Sequence, residues 1–235
     1  MYYGMRMMWD PTYILVVIGM LICLLASAMV NSTMSRYSRV RNMGNLTGAE
    51  AARRILNQEG LYHVQIECLQ RNKGDHYDPR TNTVRLSAEN YNGSSVTAVS
   101  VAAHECGHAI QHAQGYTPLS IRSAIVPIVN IGSSLGIPLI LLGVLLSWNQ
   151  VLIQVGIWAF SLSVLFQLIT LPVEFNASRR AVRKIEEFDL LTGEECNGCK
   201  KVLSAAAFTY VAAAASAALQ LLRLVLLFGN RRNRD

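Results

Sequence analysis

Charge-free apolar runs divide this chain before any motif is considered. Pro11 to Val30 holds no ionisable side chain except Tyr13 and Cys23 over 20 residues. Ser123 to Val173 has no Asp, Glu, Lys, Arg or His over 51 residues, and Val202 to Leu222 has none over 21. A helix needs about 20 apolar residues to cross a hydrocarbon core. The first run therefore fits one span, the second fits two, and the third is a candidate fourth. A soluble core helix explains any one of these runs but not all of them together. The pattern predicts a mostly α, integral-membrane chain with three to four transmembrane helices.

The polar stretches between the runs carry other signals. Thr47-Gly48-Ala49-Glu50 has the spacing of a capping box, so a helix should start there, pass through Ala52, Ile55 and Leu56, and stop near Gly60. Residues 62–68 and 83–87 alternate in strand fashion, and Asp78-Pro79-Arg80-Thr81-Asn82 between them is turn chemistry. Two strands joined by this loop would make a small sheet. Asn92-Gly93-Ser94-Ser95 then supplies turn and cap residues for a helix from Val96 to about Gln114. In the long apolar run, Trp148-Asn149-Gln150 separates two spans into a tight hairpin. Pro127, Gly132, Gly136 and Pro138 predict a kinked or closely packed second helix.

Five consecutive segments are expected. Residues 1–30 form a tail and the first transmembrane helix, and 31–122 form a membrane-side α+β region with a short sheet. Residues 123–173 form a two-span hairpin, and 174–201 a polar helix with a Cys-x-x-Cys turn. Residues 202–235 form an Ala-rich hydrophobic helix and a basic tail.

Composition agrees with a membrane chain: 51% apolar, 15% charged, mean hydropathy +0.28. The net charge of +6 does not indicate nucleic acid, because residues 31–123 hold ten basic and seven acidic groups and 174–201 hold six of each. The excess flanks apolar runs, at Arg36, Arg39 and Arg41 and again at Arg231, Arg232 and Arg234. No interleaving of aromatic and basic residues suggests a nucleic-acid surface. Five cysteines make no secreted disulfide framework, and no small-residue cleavage site follows the first apolar run, which is expected to be a retained anchor. Cys196-Asn197-Gly198-Cys199 is a lone pair expected on a surface turn, and Cys106 is expected to be a small packing residue.

The chemistry concentrates in His104-Glu105-Cys106-Gly107-His108. Residues four apart share a helix face, so both imidazoles can reach one cation, and Glu105 beside the first can act as general base on an activated water. Gly107 and Ala109 leave room for another element to pack on this helix. A tetrahedral catalytic zinc needs a third protein ligand and an open position. His112 is a further four residues along, but three residues so spaced lie about 12 Å apart from first to last on a straight helix and cannot converge. His112 is expected in a supporting or packing role. A reversal of the metzincin kind would place its turn at Gln111 and its third histidine at Gln114, which does not match. Glu174 is the stronger third ligand. It is the first charge after the 51 uncharged residues, and two crossings return the chain to the side that holds the histidines.

The segments AAHECGHAIQH at 102–112, LPVEFNASRRA at 171–181 and DHYDPRTNTVRLS at 75–87, with the order of spans, resemble the YugP-type membrane zinc metallopeptidases. These are distantly similar to the HtpX-type and CAAX-prenyl-type proteases. The resemblance covers nearly the whole chain. It implies a zincin-like catalytic region, one Zn2+ per chain on His104, His108 and Glu174, and Glu105 as base in endopeptidase chemistry on a polypeptide substrate. In related gluzincins an Asp four residues beyond the glutamate orients the first imidazole. Here that position is Ser178, with Asn176 nearby, and either can substitute. Candidates for an oxyanion or substrate donor are Tyr77, His76, Arg179 and Arg180, and strand 83–87 is a candidate edge for pairing with substrate.

The cluster Arg36, Arg39 and Arg41 shares a side with Arg179, Arg180, Arg183 and Lys184 if the span count holds, which places the active site on the cytoplasmic face of a bacterial cell membrane. A fourth span sends Arg231, Arg232 and Arg234 to the opposite side, and Arg223 sits awkwardly within that segment. Two other classes stay open: a transporter or scaffold with an incidental metal site, and a zinc-binding pseudoprotease that holds membrane proteins without cleaving them.

Overall fold

The computed structural model describes residues 10–69 and 74–228. Among these the element order is α1 (Tyr13–Ser38), α2 (Gly48–Gln58), β1 (Gln65–Leu69), β2 (His76–Asp78), β3 (Thr83–Ser87), α3 (Ala88–Asn92), α4 (Val96–Ala113), α5 (Thr117–Leu145), α6 (Gln150–Glu187) and α7 (Glu194–Phe228). The expected basic tail at Arg231, Arg232 and Arg234 and most of the N-terminal tail lie outside the described residues. The fold is mostly helical, and α1, α5, α6 and α7 are each long and apolar enough to cross a membrane. At about 1.5 Å per residue, even the 26 residues of α1 exceed a core of about 30 Å.

The chain forms two compact units, and α1, α5, α6 and α7 each contribute to both. The first takes in the described parts of Met1–Ala26, Ile121–Thr170 and Thr209–Asp235. Its α5–α6 hairpin reverses through Ser147 and Trp148, both in the left-handed region at φ 56° and 64°. The Asn149 side chain then accepts from the amides of Val151 and Leu152 and caps α6. Glycines set how closely these helices approach: a Cβ on Gly136 would meet the Phe160 backbone at 3.1 Å, and one on Gly156 the Gly136 carbonyl at 2.7 Å. Ile140, Ile153, Ile157, Leu224 and Phe228 make a small core. Ile14, Leu25, Ile131, Val151, Trp158 and Leu168 face outward, as lipid contact requires. Arg223 places its guanidinium 4.1 Å from the centre of the Tyr13 ring, a cation–π contact that eases a charge within an apolar helix.

The second unit comprises Ser27–Ser120 and Leu171–Phe208. The capping box at Thr47 forms in full: its hydroxyl accepts from the Glu50 amide at 3.2 Å, and the Glu50 carboxylate accepts from the Thr47 amide at 2.9 Å. Helix α2 buries Ala51, Ala52, Ile55 and Leu56, and Gly60 ends it at φ 72°. These side chains join Val84, Leu86, Val99, Ala102, Ile110 and Ile185 in one core.

Three features depart from the local reading. The sheet has three strands in the order β1-β3-β2, with β1 parallel and β2 antiparallel to β3. The turn at 78–82 joins β2 to β3, so the strands expected as direct neighbours through it pair in parallel instead. A three-residue strand such as His76–Asp78 is too short to show alternation. Segment 83–87 is consequently the central strand with both edges paired, and it is not the free edge expected to meet substrate. Helix α6 runs unbroken from Gln150 to Glu187 through Pro172, so Glu174 does not begin a new helix. Loss of charge marks a change of surroundings and says nothing about where backbone hydrogen bonding stops. Finally, Cys196 to Cys199 lies within the opening turns of α7, and Cys199 is buried at 1% exposure. The Cys196 thiol donates to the Leu191 carbonyl at 2.9 Å, so the segment is no surface turn.

Candidate metal centre

Helix α4 starts where the Ser95 hydroxyl accepts from the Ala98 amide at 3.1 Å and continues through an almost wholly buried stretch. The four-residue spacing brings the His104 and His108 rings edge to face, 4.8 Å between centroids. Opposite them, α6 presents Glu174, 2% exposed. One carboxylate oxygen, Oε2, lies 3.3 Å from His104 Nε2 and 3.5 Å from His108 Nε2. All three donor groups lie within 4.8 Å of one another.

The approach of the two helices depends on Gly107. A Cβ there would lie 2.6 Å from the Ala177 carbonyl oxygen and 3.2 Å from its carbonyl carbon and Cα. A residue with no side chain is thus required between the two histidines for α6 to bring Glu174 this close.

Geometry and chemistry both fit a zinc ion. Ligand atoms about 2.0–2.1 Å from a tetrahedral zinc are separated by about 3.3–3.4 Å, which matches the carboxylate-to-imidazole distances. Two imidazoles and one carboxylate are also the set that leaves a fourth position open. Glu105, on the same helix turn, is buried at 7% exposure. Burial disfavours a charged His108, but the Glu174 and Glu105 carboxylates and Gln111 outweigh it and hold its pKa above that of a free imidazole.

Around this centre the expected supporting residues take different places. Ser178 Oγ is 3.2 Å from His104 Nδ1, the position an orienting group needs. Asn176 makes no hydrogen bond to a histidine among the described residues; its Oδ1 accepts from Gln111 Nε2 at 3.0 Å and from Arg180 Nε at 2.7 Å. His112 lies one turn beyond His108, where its Nδ1 is 2.9 Å from the Tyr77 hydroxyl. The Tyr77 hydroxyl also donates to Asn82 at 3.1 Å, and burial followed by the nearby Asp78 charge pushes its pKa up to about 12, so it stays a neutral donor. His76 Nδ1 is 2.9 Å from the Gly74 carbonyl, Arg179 is exposed, and Arg180 is held by Asn176 and by Gln114 at 2.6 Å. Gln111 was missed as a supporting group. It is fully buried, with Oε1 3.0 Å from His108 Nδ1. Its one sequence signal is an amide three residues after His108, a spacing that puts it on the histidine's face of the helix.

A family model described as "Putative neutral zinc metallopeptidase" matches residues 12–229. The chain is 49% identical over 210 residues to "Putative membrane protease YugP" of Bacillus subtilis (strain 168), covering 89% of this chain and 93% of that protein. No solved structure matches. With nearly its full length matched by the family model and by this relative, the chain belongs to the YugP-type family of membrane zinc metallopeptidases.

Proposed function

We propose that this protein is a membrane-bound endopeptidase in which His104, His108 and Glu174 hold one zinc ion and Glu105 is the general base. The convergence of two imidazoles and a buried carboxylate at 3.3 and 3.5 Å carries the proposal. A zinc ion held there supplies Lewis-acid polarisation of a peptide carbonyl and lowers the pKa of water. Glu105 takes a proton from the attacking water and delivers it to the departing amine. Gly107 lets α4 pack on α6 closely enough to bring the donors together. Burial of Glu105 and Glu174 excludes bulk water from their carboxylates and so strengthens their attraction for a cation.

The substrate is a polypeptide, and a membrane-embedded or misfolded protein suits a catalytic unit whose helices continue into spans. The same unit carries Arg36, Arg39 and Arg41 and also Arg179, Arg180, Arg183 and Lys184. The positive-inside rule supports a centre facing the cytoplasm of a bacterial cell. Purified protein is expected to contain stoichiometric zinc and to cleave an unfolded substrate such as casein. Glu105→Gln should keep its zinc and lose at least about 100-fold in rate, the lower end of general-base catalysis. Equal cleavage by both would overturn the role of Glu105. Zinc binding with no cleavage by the wild type would favour a pseudoprotease.

A further inference from the structure

We infer that Gln111 is the positioning residue for His108: its amide, held one way round by α6, fixes the proton on Nδ1 and turns the Nε2 lone pair toward the metal. The inference rests on the zinc-centre reading above. Its logic starts with a group that allows no choice. A guanidinium can only donate, so the atom of Asn176 that meets Arg180 Nε at 2.7 Å must be the amide oxygen. That oxygen also faces Gln111 Nε2 at 3.0 Å. The same nitrogen donates to the main-chain carbonyl of Val173 at 2.8 Å, and a carbonyl can only accept. Both partners on this side of Gln111 are therefore acceptors. Turning the amide over would set oxygen against oxygen twice, in a site with no exposure to water.

The Gln111 oxygen is left facing His108 Nδ1 at 3.0 Å. The Gln111 acceptor at 3.0 Å from Nδ1 is nearer than the Glu174 oxygen at 3.5 Å from Nε2, so the single proton of the neutral ring sits on Nδ1 and leaves Nε2 with the free lone pair. His104 is held differently. Its Nδ1 meets the Ser178 hydroxyl at 3.2 Å, and a hydroxyl can rotate to donate or accept, so it supports the ring without choosing a tautomer. Val173 directly precedes Glu174, and Asn176 follows it by two residues. One amide thus ties the ligand on α4 to the stretch of α6 that carries the carboxylate.

The test reads the His108 ring directly. Protein labelled with 15N-histidine, metal-free and at alkaline pH where imidazoles are neutral, is expected to show His108 protonated on Nδ1, the signal being assigned by its loss in His108→Gln. Gln111→Met, nearly isosteric but without the amide, should give mixed tautomers and bind zinc about 10–100-fold more weakly in chelator competition. Gln111→Glu keeps an acceptor toward Nδ1 but sets its second oxygen against the Val173 carbonyl and Asn176 Oδ1, so the folded protein should retain the wild-type tautomer while losing stability in denaturant unfolding. A wild-type ring protonated on Nε2, or a Gln111→Met protein with unchanged tautomer and affinity, overturns the inference. If Gln111→Met fails to fold, the wild-type spectrum still decides it. Wild-type protein that binds no zinc would refute the zinc-centre reading, while the metal-free ring state would still decide the role of Gln111.

Discussion

Replacing Gly107 by alanine tests whether the helix approach sets the metal geometry. The added Cβ would lie 2.6 Å from the Ala177 carbonyl oxygen, and its other near neighbours at 3.2 Å are also backbone, so no side chain can swing aside. Restoring ordinary contact requires α4 and α6 to separate by about 0.6–0.9 Å, given contact distances of about 3.5 Å. Gly107 adjoins His108, and Ala177 is one turn from Glu174, so most of this separation reaches the imidazole-to-carboxylate gap. A zinc site tolerates errors of about 0.2 Å in its ligand distances, several-fold less than the shift. Stability responds more weakly, because two effects oppose each other. Overpacking costs about 1–3 kcal/mol, whereas alanine in place of glycine inside a helix gains about 1 kcal/mol. The net loss of folding stability is expected at about 0–2 kcal/mol, and nothing comparable offsets the loss at the metal. Zinc competition against a chromophoric chelator should therefore show Gly107→Ala weakened at least about 10-fold, in the range seen when metal surroundings are disturbed. Thermal unfolding of the metal-free protein should fall modestly. Unchanged zinc affinity in a folded Gly107→Ala protein would refute the argument that this contact sets the ligand spacing.

Zinc uptake should depend on pH. His108 has a raised pKa, so in the metal-free protein it keeps its proton at pH values where free imidazole has lost it, and zinc must displace that proton. Affinity should rise with pH through and beyond about 6.5 and then level off, with protons released on binding; a profile flat across that range would contradict the reasoning. The same raised pKa stabilises the metal-free fold below the unfolded imidazole value, and that contribution is lost as pH rises through the folded one, which unfolding without zinc at several pH values would detect. Thr47→Ala removes the hydroxyl acceptor of the capping box and should cost about 1 kcal/mol in denaturant unfolding while leaving zinc affinity unchanged, since α2 supports the core and supplies no ligand.

The four apolar helices were legible because a membrane span is a local property: enough consecutive apolar residues suffice, whatever they pack against. The capping box at Thr47 and Glu50 and the extent of α4 were legible for the same reason. The spacing of His104 and His108 placed both rings on one face by helix geometry alone. Glu174 joined them through a topological count, since an even number of crossings returns the chain to its starting side. Each of these follows from distances along the chain.

What only the tertiary structure decided depends on partners remote in sequence. The parallel pairing of β1 with β3 made 83–87 a central strand, because a strand's alternation shows which residues share a face but not which neighbour it takes. Helix α6 runs on through Pro172 and Glu174, because charge reports the medium around a helix and not its hydrogen bonds. Gln111 shares a helix face with His108 by spacing alone, but it becomes an orienting group only when the Val173 carbonyl and Asn176 arrive on α6 to fix its amide. Gly107 read as a small residue in a motif, and its need to lack a Cβ appears only against the Ala177 carbonyl. The sequence thus determined which side chains could bind a metal, through periodicity along one helix and the parity of crossings. The packing of α4 on α6 decided how near those side chains come and how each ring is held, because separations of a few tenths of an ångström are set by contacts between distant segments.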